Sequence, residues 1–296
     1  MINKIAIQST LRTYVDRFGS QNKAANSLKG ISAATINHML QGKWEQIKDE
    51  MWRNVAGQID YTDTQWNVVE TRNYKLLKHL LTDAQNYSNV LAIVDDAGTG
   101  KSETLKQYTA SNPKAYMLKC SEFWNRKFFL QELLSAMGED CGGFTVAEMM
   151  QTAVLKLKAQ HKPLIIMDEA DKLSDQVFYF FITLYNALED RCGIVMCATN
   201  YLQKRIQRGV NNNKKGYKEI YSRMGRKFIN LKGVNVADVT AVCIANGIDD
   251  RKLIKEIFID CEGDLRRVKR KVHAIKIKNA RQNQTQKSNI NEPVVQ

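Results

Sequence analysis

The chain has 296 residues, 44% hydrophobic and 25% charged, a globular composition long enough for more than one domain. No stretch of about 18 apolar residues occurs, so no membrane span or membrane partner is expected. The N-terminus lacks an apolar leader, and 6 scattered cysteines without a C-x-x-C pair argue against disulfides and zinc and for a reduced cytoplasmic interior.

The net charge is +13, and it is unevenly placed: +1 over residues 1–70, −1 over 71–200 and +13 over 201–296. That asymmetry points to an anionic partner for the last third, most simply nucleic acid, with a solubilising basic surface as the alternative.

Residues 1–60 predict a small all-α domain. "SQNKAANSL" places Ala24, Ala25 and Leu28 at helical spacing, Gly30 makes a turn, and "SAATINHML" opens with the N-cap residue Ser32. Helix, glycine turn, helix is a helix-turn-helix pattern, which puts Thr35, Asn37 and Lys43 toward DNA or toward a docking protein. Residues 61–72 carry no strong pattern and are read as a hinge.

Over 73–230 apolar strands alternate with amphipathic helices, which predicts an α/β domain with a parallel sheet. The strands are "VLAIV", "AYMLKC", "PLIIMDEA" and "CGIVMCATN". After residue 230 the strands stop, and 231–280 read as a helical lid. The polar stretch 281–296 is expected to be disordered.

The segment "VLAIVDDAGTGKSETLKQY" brings together a strand, a glycine loop and a helix start. This is the arrangement that presents backbone N–H groups and a helix dipole to phosphates. Gly98, Thr99, Gly100, Lys101, Ser102 and Glu103 would line it, with Lys101 on the phosphates and Ser102 on Mg²⁺. Asp95 stands where the pattern has its first glycine, and its negative charge is expected to weaken nucleotide affinity.

A later strand ends in Asp168-Glu169, at the sheet edge where α/β proteins bind ligands. Asp168 is expected on Mg²⁺ and Glu169 on the attacking water. Asn200 ends the next strand and can orient that water. Arg266 in "GDLRRV" can reach a γ-phosphate, and Arg223 or Arg226 can act on a neighbouring subunit.

Two basic clusters account for the charge excess. "YLQKRIQRGVNNNKKGYK" reads as a loop from its Asn and Gly content, and its Lys204, Arg205, Arg208, Lys214 and Lys215 are expected to follow a DNA backbone. Lys119, Arg126 and Lys127, after the second strand, are further candidates. The lid helix "LRRVKRKVHAIKIK" must pack one face, so fewer of its charges can reach a ligand.

Taken together, these motifs resemble the AAA+ ATPases, and with the small N-terminal domain they are similar to the transposition ATPases of the Mu B and TnsC group. The resemblance covers residues 1 to about 280. It implies an AAA+ P-loop sheet with a C-terminal helical lid, preceded by a helix-turn-helix domain. It also implies ATP and Mg²⁺, double-stranded DNA, a helical homo-oligomer, a transposase partner, and a cytoplasmic, nucleoid-associated protein of a bacterium or phage. By position, Lys101 and Ser102 match Walker A, Asp168 and Glu169 Walker B, Asn200 sensor 1 and Arg266 sensor 2. Alternative readings are a helicase-loader-type ATPase and an ATP-switched helix-turn-helix transcription regulator.

Overall fold

Asn3, Ser20 and Ser32 each precede a helix and accept a hydrogen bond from the amide of Ala6, Lys23 and Thr35 respectively. Such caps satisfy donors that a helix start otherwise leaves unpaired. The computed structural model describes residues 2–61 and 66–290. The helices so opened are α1 (Lys4–Phe18), α2 (Gln21–Asn26) and α3 (Ala33–Leu40), followed by α4 (Asp49–Gln58). They bury Ile7, Leu11, Ile36, Met39, Trp52 and Val55 in one core. Gly30, at φ +71°, makes the turn between α2 and α3.

The rest of the chain forms α5 (Arg72–Tyr87), β1 (Val90–Val94), α6 (Lys101–Ser111), β2 (Ala115–Lys119), α7 (Arg126–Ala136), α8 (Val146–Lys158), β3 (Leu164–Asp168), α9 (Asp175–Leu188), β4 (Gly193–Ala198), α10 (Asn200–Asn211), α11 (Tyr217–Arg223) and β5 (Ile229–Asn230). Helices α12 (Val236–Ala245), α13 (Arg251–Cys261) and α14 (Leu265–Ile290) follow. The sheet order is β2-β3-β4-β1-β5, and every pairing is parallel. Each residue of β3 and β4 is buried. This is why those strands are continuous apolar runs rather than alternating ones, and each buried Ile, Leu or Val contributes about 1.5–3 kcal/mol.

The chain divides into two compact units. The first comprises residues up to Gln65, Leu77–Asp95 and Ser102–Leu231, and so holds the N-terminal helices and the whole sheet. Within it the N-terminal helices meet the sheet domain through polar contacts. Lys29 pairs with Glu132 at 2.6 Å, Lys106 with Asp60 at 2.9 Å, and Asn26 Nδ2 donates to the Gly138 carbonyl at 3.3 Å.

The second unit comprises Trp66–Leu76, Asp96–Lys101 and the chain from Lys232. Its core is Val239, Val242, Cys243, Ile254, Ile257, Val268 and Val272, with Trp66 and Val69 packed against it. Amide side chains fix the strap Trp66–Leu76 there. Asn73 Nδ2 donates to the Lys232 carbonyl at 2.6 Å and its oxygen accepts from the Lys232 amide at 3.0 Å. Asn246 clasps the Asn67 backbone in the same two-way manner, with both bonds at 3.0 Å.

The structure corrects two expectations. The stretch after Asn200 is not a loop as far as Asn211 but the helix α10, with Leu202, Ile206 and Gly209 buried; only the turn 212–216, with Lys214 and Lys215, is non-helical as expected. Gly209 is there to make room, since a Cβ on it would lie 2.2 Å from Tyr217 Cδ1. Residues 281–290, read as disordered, continue α14, because no glycine or proline interrupts the chain before Pro293. Residues 62–65 of the expected hinge and 291–296 of the expected tail lie outside the described residues. Among the described residues no helix is long and apolar enough to cross a membrane.

Candidate functional site

The glycine loop belongs to the second unit. Gly98 and Gly100 stand at φ +86° and +92°, in the region that side chains other than glycine enter at a cost. Thr99 Oγ1 donates to the Asp96 carbonyl at 3.2 Å. The Lys101 ammonium donates to the same carbonyl at 2.7 Å and to Thr99 Oγ1 at 3.4 Å. A phosphate oxygen carries more negative charge than a carbonyl and makes the stronger bond with that ammonium.

The start of α14 closes on this loop. Asp264 Oδ1 accepts from the Arg266 amide at 2.7 Å, and the Leu265 amide donates to the Gly98 carbonyl at 2.9 Å. A Cβ on Gly98 would lie 2.1 Å from Asp264 Oδ1, so the loop backbone occupies space that only glycine leaves open. Arg266, expected as a phosphate-sensing arginine, is thus exposed on the helix start that holds the loop.

The carboxyl edge of the sheet belongs to the first unit. In register, Val94 pairs with Ala198 and Asp168 with Cys197, so Asp95, Asp168 and Thr199 issue from one edge. Asp168 is 2% exposed. Glu169 follows at φ +57°, its amide donating to Asp168 Oδ1 at 3.1 Å. The Glu169 carboxylate lies 2.5 Å from Lys172 Nζ, and this hydrogen bond raises the lysine above its ordinary range. Ser102, the second residue of α6, is half-buried. A hydroxyl and a carboxylate are the hard oxygen donors Mg²⁺ takes, and Ser102 and Asp168 fit that ion.

Asn200 begins α10 behind the cap Thr199, whose hydroxyl donates to Asp171 Oδ2 at 2.7 Å and ties the ends of β4 and β3 together. Beside them the Cys120 amide donates to the Asp168 carbonyl at 2.9 Å. Burial, with Asp168 and Glu169 adding to it, holds the Cys120 thiol far above its ordinary range, so it is inert as a nucleophile.

The other expected residues divide clearly. Lys204, Arg208, Lys215, Lys119, Arg126 and Lys127 are exposed, as is Lys43, while Thr35 and Asn37 are half-buried on α3. Glu103 is exposed and accepts from Gln107 at 3.2 Å. Arg205, expected on a DNA-facing loop, is instead an internal residue 14% exposed. It donates to the Leu173 carbonyl at 2.6 Å, to Asp175 at 2.5 Å and to Tyr217 at 3.0 Å. Lys214 also pairs with Asp175. Burial alone would raise the Asp175 carboxyl, but bonds from Lys214, Tyr217 and Arg205 outweigh it and hold the group well below its usual range. Arg223 is engaged within its own chain by Asn186 at 2.8 Å and Glu219 at 2.8 Å, over the Tyr185 ring, whereas Arg226 is exposed.

The sequence reading missed the pairs Asp264–Gly98, Thr199–Asp171 and Glu169–Lys172. Only the first left a local signal, since Asp264 before a helical run is a helix cap.

The family described as an AAA domain matches residues 84–206. No curated protein matches the chain. Solved structures that match include the Drosophila ORC bound to DNA, at 10% identity and a TM-score of 0.44, over 69% of this chain and 54% of that one. The chain therefore spans about half the length of that relative.

Proposed function

We propose, from the premise that residues 84–206 form an AAA+ ATPase domain, that this chain is an ATP-hydrolysing, DNA-binding switch. Its nucleotide state would govern its hold on duplex DNA and on a second DNA enzyme. The observation that carries the reading is the pairing, in one chain, of a phosphate loop with Lys101-Ser102 and a buried strand ending in Asp168-Glu169. An AAA domain supports ATP binding and hydrolysis in general.

In this reading Lys101 and the loop amides hold the β- and γ-phosphates. Ser102 and Asp168 would hold Mg²⁺, and that ion would supply positive charge beside the phosphoryl oxygens. Glu169 accepts a proton from water as the water oxygen bonds to the γ-phosphorus. The bond from that phosphorus to the bridging oxygen breaks, and ADP leaves with the electron pair. Arg266 senses the γ-phosphate, Asn200 orients the water, and Arg226 is better placed than Arg223 to serve a neighbouring subunit.

The DNA part of the reading rests on the basic last third of the chain and on Lys204 and Arg208, exposed on α10. The second enzyme is a transposase in the reading the motifs resemble, with a helical homo-oligomer on target DNA. It is a replicative helicase in the loader reading.

Lys101→Ala should abolish ATP binding and ATP-dependent DNA binding together. Glu169→Gln should keep both and lose turnover by about 10²–10⁴. ATP-dependent DNA binding by Lys101→Ala would refute the phosphate-loop assignment. Electron microscopy with DNA and an ATP analogue separates the finer readings, since continuous filaments favour transposition and discrete rings or spirals favour loading.

A further inference from the structure

The β2–α7 loop and the first turn of α7 carry two side chains, Phe123 and Phe128, that neither the nucleotide motifs nor the α10 cations use. Phe123 is 73% and Phe128 41% exposed. Their rings meet edge to face with centroids 6.2 Å apart. A single exposed apolar residue is ordinary, but a packed aromatic pair held in water marks a contact surface.

Buried and hydrogen-bonded residues anchor the pair from beneath. Trp124 is 6% exposed and packs on Phe129, with centroids 6.4 Å apart. The Asn125 side chain accepts from the Phe128 amide at 2.9 Å and fixes the start of α7. At the other end, the Cys120 amide bonds to the Asp168 carbonyl. Lys119, Arg126 and Lys127 lie beside the pair along the chain and are exposed, with Glu122 the acidic residue between Lys119 and Phe128. Arg126 lies over the Phe180 ring at 6.0 Å, which leaves Lys119, at the end of β2, and Lys127, on the first turn of α7, as the exposed cations on either side of the loop.

We propose that this tip is a stacking platform for unpaired nucleotides, with Phe123 and Phe128 against base faces and Lys119 and Lys127 on the flanking phosphates. The proposal rests on the nucleic-acid reading above and adds a second class of substrate, single-stranded or locally opened DNA. Every base offers a π-face, so such a platform is indifferent to sequence, and neighbouring cations hold the backbone while the rings hold the bases. A contact to phosphates alone has no use for exposed rings, and a purely apolar protein surface has no use for the cations.

The test uses the full chain, a fluorescent oligothymidylate and a duplex of equal length, titrated at several salt concentrations. The double variants Phe123→Ala/Phe128→Ala and Phe123→Leu/Phe128→Leu should each lose about tenfold or more in single-strand affinity. The salt slope should be unchanged, because no phosphate contact is removed. Phe123→Trp should bind as well as wild type, with its fluorescence quenched by the bound strand. ATPase activity and circular dichroism control for folding.

Wild-type affinity in the leucine variant would overturn stacking and point to a protein partner for the patch. Wild-type affinity in the alanine variant would also overturn the proposal. So would a wild-type chain that binds duplex but not single strand, though the duplex reading would stand. A chain that binds neither would overturn both.

Discussion

Glu169, the residue assigned to the attacking water, sits at φ +57° with its carboxylate 2.5 Å from the ammonium of Lys172. The two are one turn apart at the end of β3, so the contact forms without help from any other element. One oxygen of that carboxylate is thereby held by the ammonium rather than open to a water. With Glu169 in the role proposed for it, Lys172 would keep its carboxylate from the attacking water until the pair opens.

Lys172→Met should raise basal ATP turnover several-fold, with the affinity for ATP unchanged, measured as steady-state phosphate release. Turnover equal to wild type would mean that the ion pair opens freely and gates nothing.

Asp175 predicts a pH dependence of stability. Its carboxyl titrates lower in the folded chain than in the unfolded one, where it titrates near 3.9. Between the two values the unfolded state binds the extra proton, so this contribution is complete above about pH 4–5 and is lost as pH falls through the folded value. Denaturant melts from neutral to acidic pH should show the loss, and Asp175→Asn should remove that component. Asp175→Ala, which strands the Arg205 guanidinium, should cost about 2–3 kcal/mol at neutral pH.

Gly98→Ala places a methyl group 2.1 Å from Asp264 Oδ1 at a backbone angle of φ +86°. About 1–3 kcal/mol of local stability should go, together with nucleotide binding. Gly98→Ala/Asp264→Ala relieves the clash but not the backbone strain. It should recover only part of the loss in a thermal-shift assay with and without ATP.

On α10, Lys204→Ala/Arg208→Ala should weaken duplex binding for any sequence. It should also flatten the log–log salt dependence by about 0.9 per lost phosphate contact. Arg205 does not belong in that set, since its removal would break an internal network instead. An unchanged slope would move the duplex track elsewhere, with the lid helix α14 the next surface to mutate.

The alternation of buried strands and helices was legible because parallel strands covered on both faces must be apolar throughout, as "LIIMD" and "GIVMCA" are. The glycine loop and the Asp-Glu strand end were legible as geometry, because glycines after a strand and an apolar run ending in carboxylates are local features of the chain. Arg205 was not, because its partners Leu173 and Asp175 lie some thirty residues away, at |i−j| of 32 and 30, and a sequence gives no sign of which cation turns inward. α10 was misread because Gly209 counted as a breaker, when it is a packing residue under Tyr217. The residues around the start of α5 lacked any pattern because Asn67 and Asn73 are held by hydrogen bonds to Asn246 and Lys232, far along the chain, which periodicity does not record.

That strap has a consequence for synthesis. Asn67 and Asn246 are 179 positions apart, and Trp66 and Val69 belong to the same core as Val268 and Val272. The second unit is therefore not a contiguous fragment. A ribosome must deliver nearly the whole chain before this core can close, and the early strap waits with its tryptophan in water. A polypeptide stopped short of α12 would present that surface permanently, and quality-control machinery would meet it as an incomplete product. Helices α12–α14 expressed by themselves would lack one wall.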